Sequence, residues 1–119
     1  MGMRQNIKLE YSNSDAKYPE TKKEVNVIYI YSHWQGDKEY KDSELAGRLK
    51  KALERRQRWD DESYLARIIV SEVIRNALDD ETGYGIQPYE VDPEYPTIVV
   101  NLENQTVNGM TYDEFINSF

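Results

Sequence analysis

The hydrophobic and polar positions follow two different periods along the chain. From Met3 to Tyr11 apolar and polar residues alternate, which is typical of a strand with one face in water and favours a place near a sheet edge. From Val25 to Trp34 apolar side chains fall on both faces, which indicates a central strand or one covered on both sides. The first part of the chain therefore predicts one half-exposed strand and one buried strand.

In the middle of the chain, apolar residues repeat with a period of about 3.6 residues, which predicts two helices. The first spans Asp42–Gln57, with a narrow apolar stripe and Asp42 as its N-cap. The second spans Asp61–Leu78, begins at Asp60 or Asp61 and carries a broader apolar arc. We therefore expect the second helix to be the core helix.

Turn signals divide the rest of the chain. The stretch Ile86–Val91 and the β-branched stretch Thr97–Leu102 predict strands, and Asn108-Gly109 predicts a tight turn. Thr111-Tyr112-Asp113-Glu114 is a capping box that opens a short final helix. Residues 12–24 combine turn formers with almost no aliphatic side chains, so we expect a long exposed connection there.

This order of elements predicts one domain, residues 1–119, of the α+β class. Its antiparallel β-sheet packs against a pair of α-helices, and a short C-terminal helix follows. The apolar residues on both faces of the strand Val25–Trp34 also predict a homo-oligomer, a dimer or higher, in which a second subunit covers one face.

Length and composition exclude several classes of function. A chain of 119 residues is too short for a core plus a large internal cavity, so sites are expected to be shallow or shared between subunits. The net charge of −7 opposes general binding to nucleic acid but leaves room for a local cationic pocket. Without cysteine, a signal pattern or an apolar run of roughly 18 residues, the chain is expected to be cytoplasmic, without a membrane segment.

The chemical inventory is small. One histidine, His33, and no cysteine exclude most metal sites and the nucleophilic pairs that need two such groups. The chain also lacks a Gly-x-x-x-x-Gly-Lys phosphate loop, so we predict neither a metal nor a cofactor. His33 with Asp37 leaves open acid–base chemistry of the phosphodiesterase type.

Three arginines at the helix junctions are candidates for binding an anion. Helical spacing brings Arg56 onto the apolar stripe of the first helix, where a charge needs a partner or water. Arg58 precedes Trp59 where the two helices meet. Arg67 lies at the border of the apolar arc, where it either extends to solvent along the surface or presents its guanidinium to a phosphate.

Two aromatic residues at strand ends complete the candidate set. Trp34 ends the buried strand and serves either as a lid on the core or as a ligand contact. Tyr84 stands between Gly83 and Gly85, which either form a bulge or let a flat group approach the ring. Arginines and exposed aromatics together suit an anionic ligand that carries a flat base.

Several segments resemble the Thoeris anti-defence proteins of phages. They are Tyr31–Gly36 (YSHWQG), Arg58–Ile69 (RWDDESYLARII), Glu81–Ile86 (ETGYGI) and Asp92–Val100. The resemblance spans roughly Val25 to Val107, and Arg58–Ile69 is its most specific part.

This resemblance implies a sponge, a protein that binds cyclic ADP-ribose immune signals, and in some cases cyclic oligonucleotides, without cleaving them. It implies a dimer or higher oligomer, with Tyr84 stacked on adenine and with Arg58 and Arg67 on the phosphates. The chain departs from the family pattern at Asn108–Phe119, where further arginines are expected and none occurs.

Our leading hypothesis is therefore a phage or prophage anti-defence protein in the host cytoplasm. It would sequester a cyclic nucleotide through Trp34, Arg56, Arg58, Arg67 and Tyr84. The alternative is an acidic interaction protein that inhibits a host defence protein. An enzyme of the phosphodiesterase type, dependent on His33, is the third hypothesis.

Overall fold

The computed structural model describes residues 3–13, 24–39, 42–80 and 82–119, which form a six-stranded sheet and three helices. The strands are β1 (Gln5–Asn13), β2 (Glu24–Ser32), β3 (Tyr84–Gln87), β4 (Ile98–Asn101), β5 (Thr106–Val107) and β6 (Met110–Thr111), and the helices are α1 (Glu44–Glu54), α2 (Glu62–Val73) and α3 (Tyr112–Asn117). This arrangement confirms the predicted α+β class. Most of the predicted exposed connection, residues 14–23, lies outside the described residues.

The sheet has the strand order β3-β2-β1-β4-β5-β6. Its pairings are antiparallel except that β1 and β4 run parallel, which differs from the antiparallel sheet predicted. A parallel pair needs a long crossover, and the chain supplies one between β1 and β4 through β2, both long helices and β3. β1 also lies inside the sheet, between β2 and β4, rather than near an edge. Its alternating pattern arises instead because the described helices cover only one face of the sheet.

One face of the sheet packs against the helices and forms the core. Ile7 on β1 pairs in register with Ile30 on β2 and with Ile98 on β4, and all three side chains are fully buried. The helix α1 adds fully buried residues: Leu45, Ala46, Leu49, Ala52 and Leu53. α2 buries fewer apolar residues, namely Leu65, Ile69 and Val73, so the expectation that the second helix is the core helix was wrong.

The structure changes one predicted N-cap and the C-terminal ends of both long helices. Ser43 rather than Asp42 caps α1, because its hydroxyl accepts a hydrogen bond from Ala46 N at 3.0 Å. Asp61 caps α2 as predicted and accepts from Tyr64 N at 3.2 Å. The capping box of α3 at Thr111 is confirmed. Both long helices end earlier than predicted, at Glu54 and Val73, so the residues beyond them lie in loops.

A buried carboxylate ties the two long helices together. Glu72 on α2 is 5% exposed and accepts hydrogen bonds from the guanidinium groups of Arg55 and Arg75. Burial disfavours its ionised form, yet the hydrogen bonds and charges of the two arginines outweigh burial and hold the pKa of Glu72 below its ordinary value. This cluster stabilises the α1–α2 hairpin behind the loop that joins the helices.

In the described part of the chain, no helix packs against the other face of the sheet. Tyr29 and Tyr31 of β2 are half-buried there. Ile28, which shares a face of β2 with the buried Ile30, is 38% exposed. None of the helices in the described ranges is long and apolar enough to cross a bilayer.

Candidate functional site

The loop between α1 and α2 has a strained backbone at two arginines. Arg56 has φ 52° and Arg58 has φ 60°, both in the left-handed region, which costs a non-glycine residue about 1–2 kcal/mol. Arg56 occupies the position just after a helix where glycine is usual. Because strain of this kind clusters at functional sites, the loop is the first place to look for one.

An open cleft of about 430 Å³ lies beside this loop. Gln57 and Arg58 line it from the loop, and Tyr64, Arg67 and Ile68 line it from α2. The guanidinium carbon of Arg58 is 5.1 Å from the centroid of the Tyr64 ring, and Tyr64 is 58% exposed. The structure therefore brings together Arg58 and Arg67, two of the predicted ligand residues, around an exposed aromatic ring.

These two arginines differ from the other arginines of the chain in their partners. An ion pair with a carboxylate engages each of Arg4, Arg48, Arg55, Arg56 and Arg75. Within the described ranges, Arg58 and Arg67 form no such pair. Of the nearest acidic residues in sequence, Asp61 caps α2 and Asp60 accepts a hydrogen bond from Gln105 Nε2 at 2.7 Å; both line the neighbouring cavity on the other side of Arg58 and do not line this cleft. The cleft is thus a local positive site on an acidic protein.

Arg56, in contrast, does not line the cleft. Its Nη1 lies 2.7 Å from Asp113 Oδ1 on α3, and its guanidinium carbon is 5.2 Å from the Trp59 ring centroid. The prediction that Arg56 continues the apolar stripe of the first helix was wrong because α1 ends at Glu54. Arg56 joins the loop to α3 and lines a neighbouring cavity of about 450 Å³ with Arg58 and Trp59.

Tyr84 lies apart from the arginines in a single chain. It opens β3, and its hydroxyl accepts a hydrogen bond from Gln35 Nε2 at 2.6 Å. Burial raises the pKa of Tyr84 and keeps the hydroxyl neutral. Its ring lines an apolar cavity with Ile74 and Ala77 rather than the arginine cleft. The expectation that Tyr84 stacks on a base held by Arg58 and Arg67 therefore does not fit the geometry of one chain, where Tyr64 is the aromatic residue that lines the cleft with them.

Trp34 also lies outside the arginine cleft. It is 57% exposed, so it is not a lid on the core. Its ring packs on Gly83, where a Cβ atom would come within 2.6 Å of the indole and where φ is 98°. Only glycine fits this close approach without strain. Trp34 and Gly83 thus hold the end of β2 against the start of β3.

His33 forms a hydrogen bond with a tyrosine rather than with Asp37. Its Nδ1 lies 2.5 Å from the hydroxyl of Tyr31, and its ring packs edge-on against Trp34 at 4.9 Å between centroids. Neither a hydrogen bond nor an ion pair joins His33 to Asp37, both of which the structure describes. Among the described residues no cluster of three or more histidine or acidic side chains could hold a metal ion.

Tyr64 is the site residue that the sequence analysis missed. It stands three residues before Arg67, so both side chains lie on one face of α2. A search for aromatic residues at helical spacing from each candidate arginine would have selected it.

The backbone strain at Arg58 predicts an unusual stability order. We expect Arg58→Gly to be more stable than Arg58→Ala by about 1 kcal/mol, because both variants lose the same side chain contacts and glycine adopts a positive φ freely. Denaturant unfolding of the two variants measures the difference. The matched control is the exposed Lys51 within α1, where alanine should exceed glycine by about 1 kcal/mol. Equal stability of the two Arg58 variants would contradict a strained loop.

Comparisons with known proteins give no relative for this site. A scan against protein-family models finds no match for the chain, and neither do searches of characterised proteins and of solved structures.

Proposed function

We propose that the protein binds and sequesters a cyclic nucleotide of the cyclic ADP-ribose class without cleaving it, and so acts as a phage anti-defence protein. One observation carries the binding proposal: Arg58 and Arg67, which have no carboxylate partner in the described ranges, line one open cleft beside the exposed ring of Tyr64. The resemblance of Arg58–Ile69 to the Thoeris anti-defence proteins points to the ligand class.

The cleft residues supply the contacts that such a ligand needs. Two guanidinium groups donate charge-assisted hydrogen bonds to the oxygens of a pyrophosphate. A base stacked on an aromatic ring contributes about 1–3 kcal/mol, and Tyr64 offers that ring on the same wall as Arg67. The amide of Gln57 and the apolar side chain of Ile68 add a hydrogen-bonding group and an apolar surface.

The size of the cleft suits a nucleotide. Its volume of about 430 Å³ lies within the range of roughly 300–1,000 Å³ typical of small-molecule sites. The cleft opens to solvent, so one chain would cover only part of the ligand. We therefore expect tight binding to require a second subunit or closure of the α1–α2 loop around the ligand.

The lining residues favour binding over turnover. Among the residues that the structure describes, the cleft lining includes no histidine, carboxylate or cysteine that would serve as a general base or nucleophile near neutral pH. Arginines alone would stabilise the charge of the bound phosphates and leave the ligand intact. Sequestration rather than hydrolysis is therefore the function that this set of residues supports.

The test is a thermal-shift titration with cyclic ADP-ribose isomers and cyclic di- and trinucleotides, followed by heat release of the bound ligand. We expect one of these ligands to raise the melting temperature and to be recovered chemically unchanged from the denatured protein. A ligand converted to product would replace the sponge proposal with an enzyme. No shift with any of these ligands, together with a stable complex with a host defence protein, would favour the protein inhibitor.

A further inference from the structure

β3 forms one end of the sheet and leaves a hydrogen-bonding edge open. Among the described strands only β2 pairs with it, through the register Tyr29↔Gln87, Ile30↔Ile86, Tyr31↔Gly85 and Ser32↔Tyr84. An open edge presents a row of backbone groups that another strand can bind. Its partner can be inferred from the groups that remain free.

The backbone N–H and C=O groups that do not face β2 belong to Tyr84 and Ile86. His33 N donates to Gly83 O at 2.9 Å, so Gly83 faces β2. Backbone groups along an antiparallel strand point alternately towards one neighbour and the other. Gly85 therefore also faces β2, and the N–H and C=O groups of Tyr84 and Ile86 point away from the sheet. Pro88 follows, lacks an N–H and limits the edge to these two residues.

This edge is complementary to itself. A two-fold axis at Gly85 places Tyr84 of one copy opposite Ile86 of the other, and each opposed pair exchanges both N–H···O bonds. Gly85 then meets Gly85 of the second copy as a pair without hydrogen bonds, at a Cα–Cα distance of about 4.5 Å. Within one chain nothing requires glycine here, since its φ is not positive and an added Cβ would meet nothing closer than the Tyr31 side chain at 3.9 Å.

Exposed apolar side chains lie at the same edge. Ile86 is 52% exposed and Leu78 is 69% exposed, and together with Ile74, Ala77 and Tyr84 they line an open, mostly apolar cavity of about 300 Å³ that Asp80 also borders. Tyr84 of one copy opposite Ile86 of the other forms an aromatic–aliphatic cross-strand pair over this cavity. We propose that β3 pairs with β3 of a second copy of this chain, antiparallel around a two-fold axis at Gly85.

A cysteine placed on the axis tests the pairing directly. The chain has no cysteine, so Gly85→Cys can form disulfides only between copies. A Cα separation of about 4.5 Å lies within the range that disulfides accept. We expect mild oxidation to convert Gly85→Cys to a covalent dimer on a non-reducing gel, while Gly47→Cys on α1, where an added Cβ meets nothing within 4 Å, remains mostly monomeric. Equal rates of crosslinking in the two variants would overturn the proposal.

A proline at the free edge provides an independent test without ligand. Ile86→Pro removes an N–H that points away from β2, so the contacts within one chain are retained. We expect wild type to sediment as a dimer, Ile86→Val to remain dimeric, and Ile86→Pro to dissociate at least roughly tenfold more readily because each copy loses a ladder donor. Raising the salt concentration should strengthen the dimer, since each copy carries −7.

A monomeric wild type, or unchanged association in folded Ile86→Pro, would overturn the proposed dimer. These experiments use samples without nucleotide, so a failure of the proposed dimer can be distinguished from a failure of the proposed ligand binding.

Discussion

Replacing Arg58 and Arg67 together by glutamine is expected to weaken the binding of the cyclic ADP-ribose isomer that the wild type binds by about 100-fold or more. Each hydrogen bond to a charged group contributes roughly 1.5–3 kcal/mol, and the open cleft favours the lower end of that range. Loss of two such contacts corresponds to roughly 3 kcal/mol, or a little over 100-fold in Kd. Isothermal titration calorimetry of the double variant measures the loss.

The control is Arg4→Gln, which removes one positive charge from a residue outside the cleft, half of the charge that the double variant removes. Arg4 pairs with Asp92 and Glu94 and does not line the cleft. Its variant should bind within about twofold of the wild type at the same salt concentration, since a distant exposed charge is largely screened. Tyr64→Ala should weaken binding by roughly tenfold through lost base stacking.

Two results would refute this assignment of the site. One is unchanged affinity in the folded double variant. The other is a larger loss in Tyr84→Ala than in Tyr64→Ala, which would return the stacking role to Tyr84 and require a site shared between chains. Unfolding curves of Tyr84→Ala and Tyr64→Ala must accompany the binding data, because the Tyr84 hydroxyl also accepts a hydrogen bond from Gln35 and its loss would lower stability.

Glu72→Gln is expected to reduce the free energy of unfolding by about 1–2 kcal/mol near neutral pH. The substitution preserves the shape of the side chain but removes the charge that Arg55 and Arg75 contact. Hydrogen bonds to charged groups are worth roughly 1.5–3 kcal/mol, and solvent lowers that value here because the two arginine side chains are 35% and 54% exposed. Urea denaturation measures the difference.

The effect of Glu72→Gln should depend on pH. The folded-state pKa of Glu72 is lowered from its ordinary value of 4.5, so its ionised form stabilises the fold above that pH. As the pH falls through the lowered pKa, Glu72 protonates and this contribution is lost. The gap between wild type and variant should therefore stay constant from pH 7 to about 4.5 and shrink as the pH falls further. The exposed Glu54→Gln should stay within roughly 0.5 kcal/mol of wild type, and an equal effect of both substitutions would contradict the role of burial.

Local signals in the sequence identified several parts of the structure correctly. The Asp61 N-cap, the Thr111 capping box and the Asn108-Gly109 turn were predicted because each depends on neighbouring residues alone. Arg58 and Arg67 were also identified as candidates. They lie nine residues apart across one loop and one helix, so chain connectivity by itself restricts their separation.

Features that depend on distant contacts were missed. Periodicity could not show that β1 pairs in parallel with β4, because the alternating pattern of a strand does not encode its neighbours. It also extended the first helix to Gln57, since periodicity does not show that α1 ends at Glu54 or that Arg56 adopts a positive φ just after it. Tyr84 was grouped with the arginines on chemistry, although the sheet holds it beside Gln35 instead.

The sequence by itself determined that this protein is small, acidic and of the α+β class, and it singled out Arg56, Arg58 and Arg67 as candidates, because composition, hydrophobic period and capping are local properties. The tertiary structure decided which aromatic ring joins Arg58 and Arg67, which carboxylates neutralise the other arginines, and which strand edge is left open. These outcomes follow from how the helices dock on the sheet, and that docking depends on contacts between residues far apart in the chain.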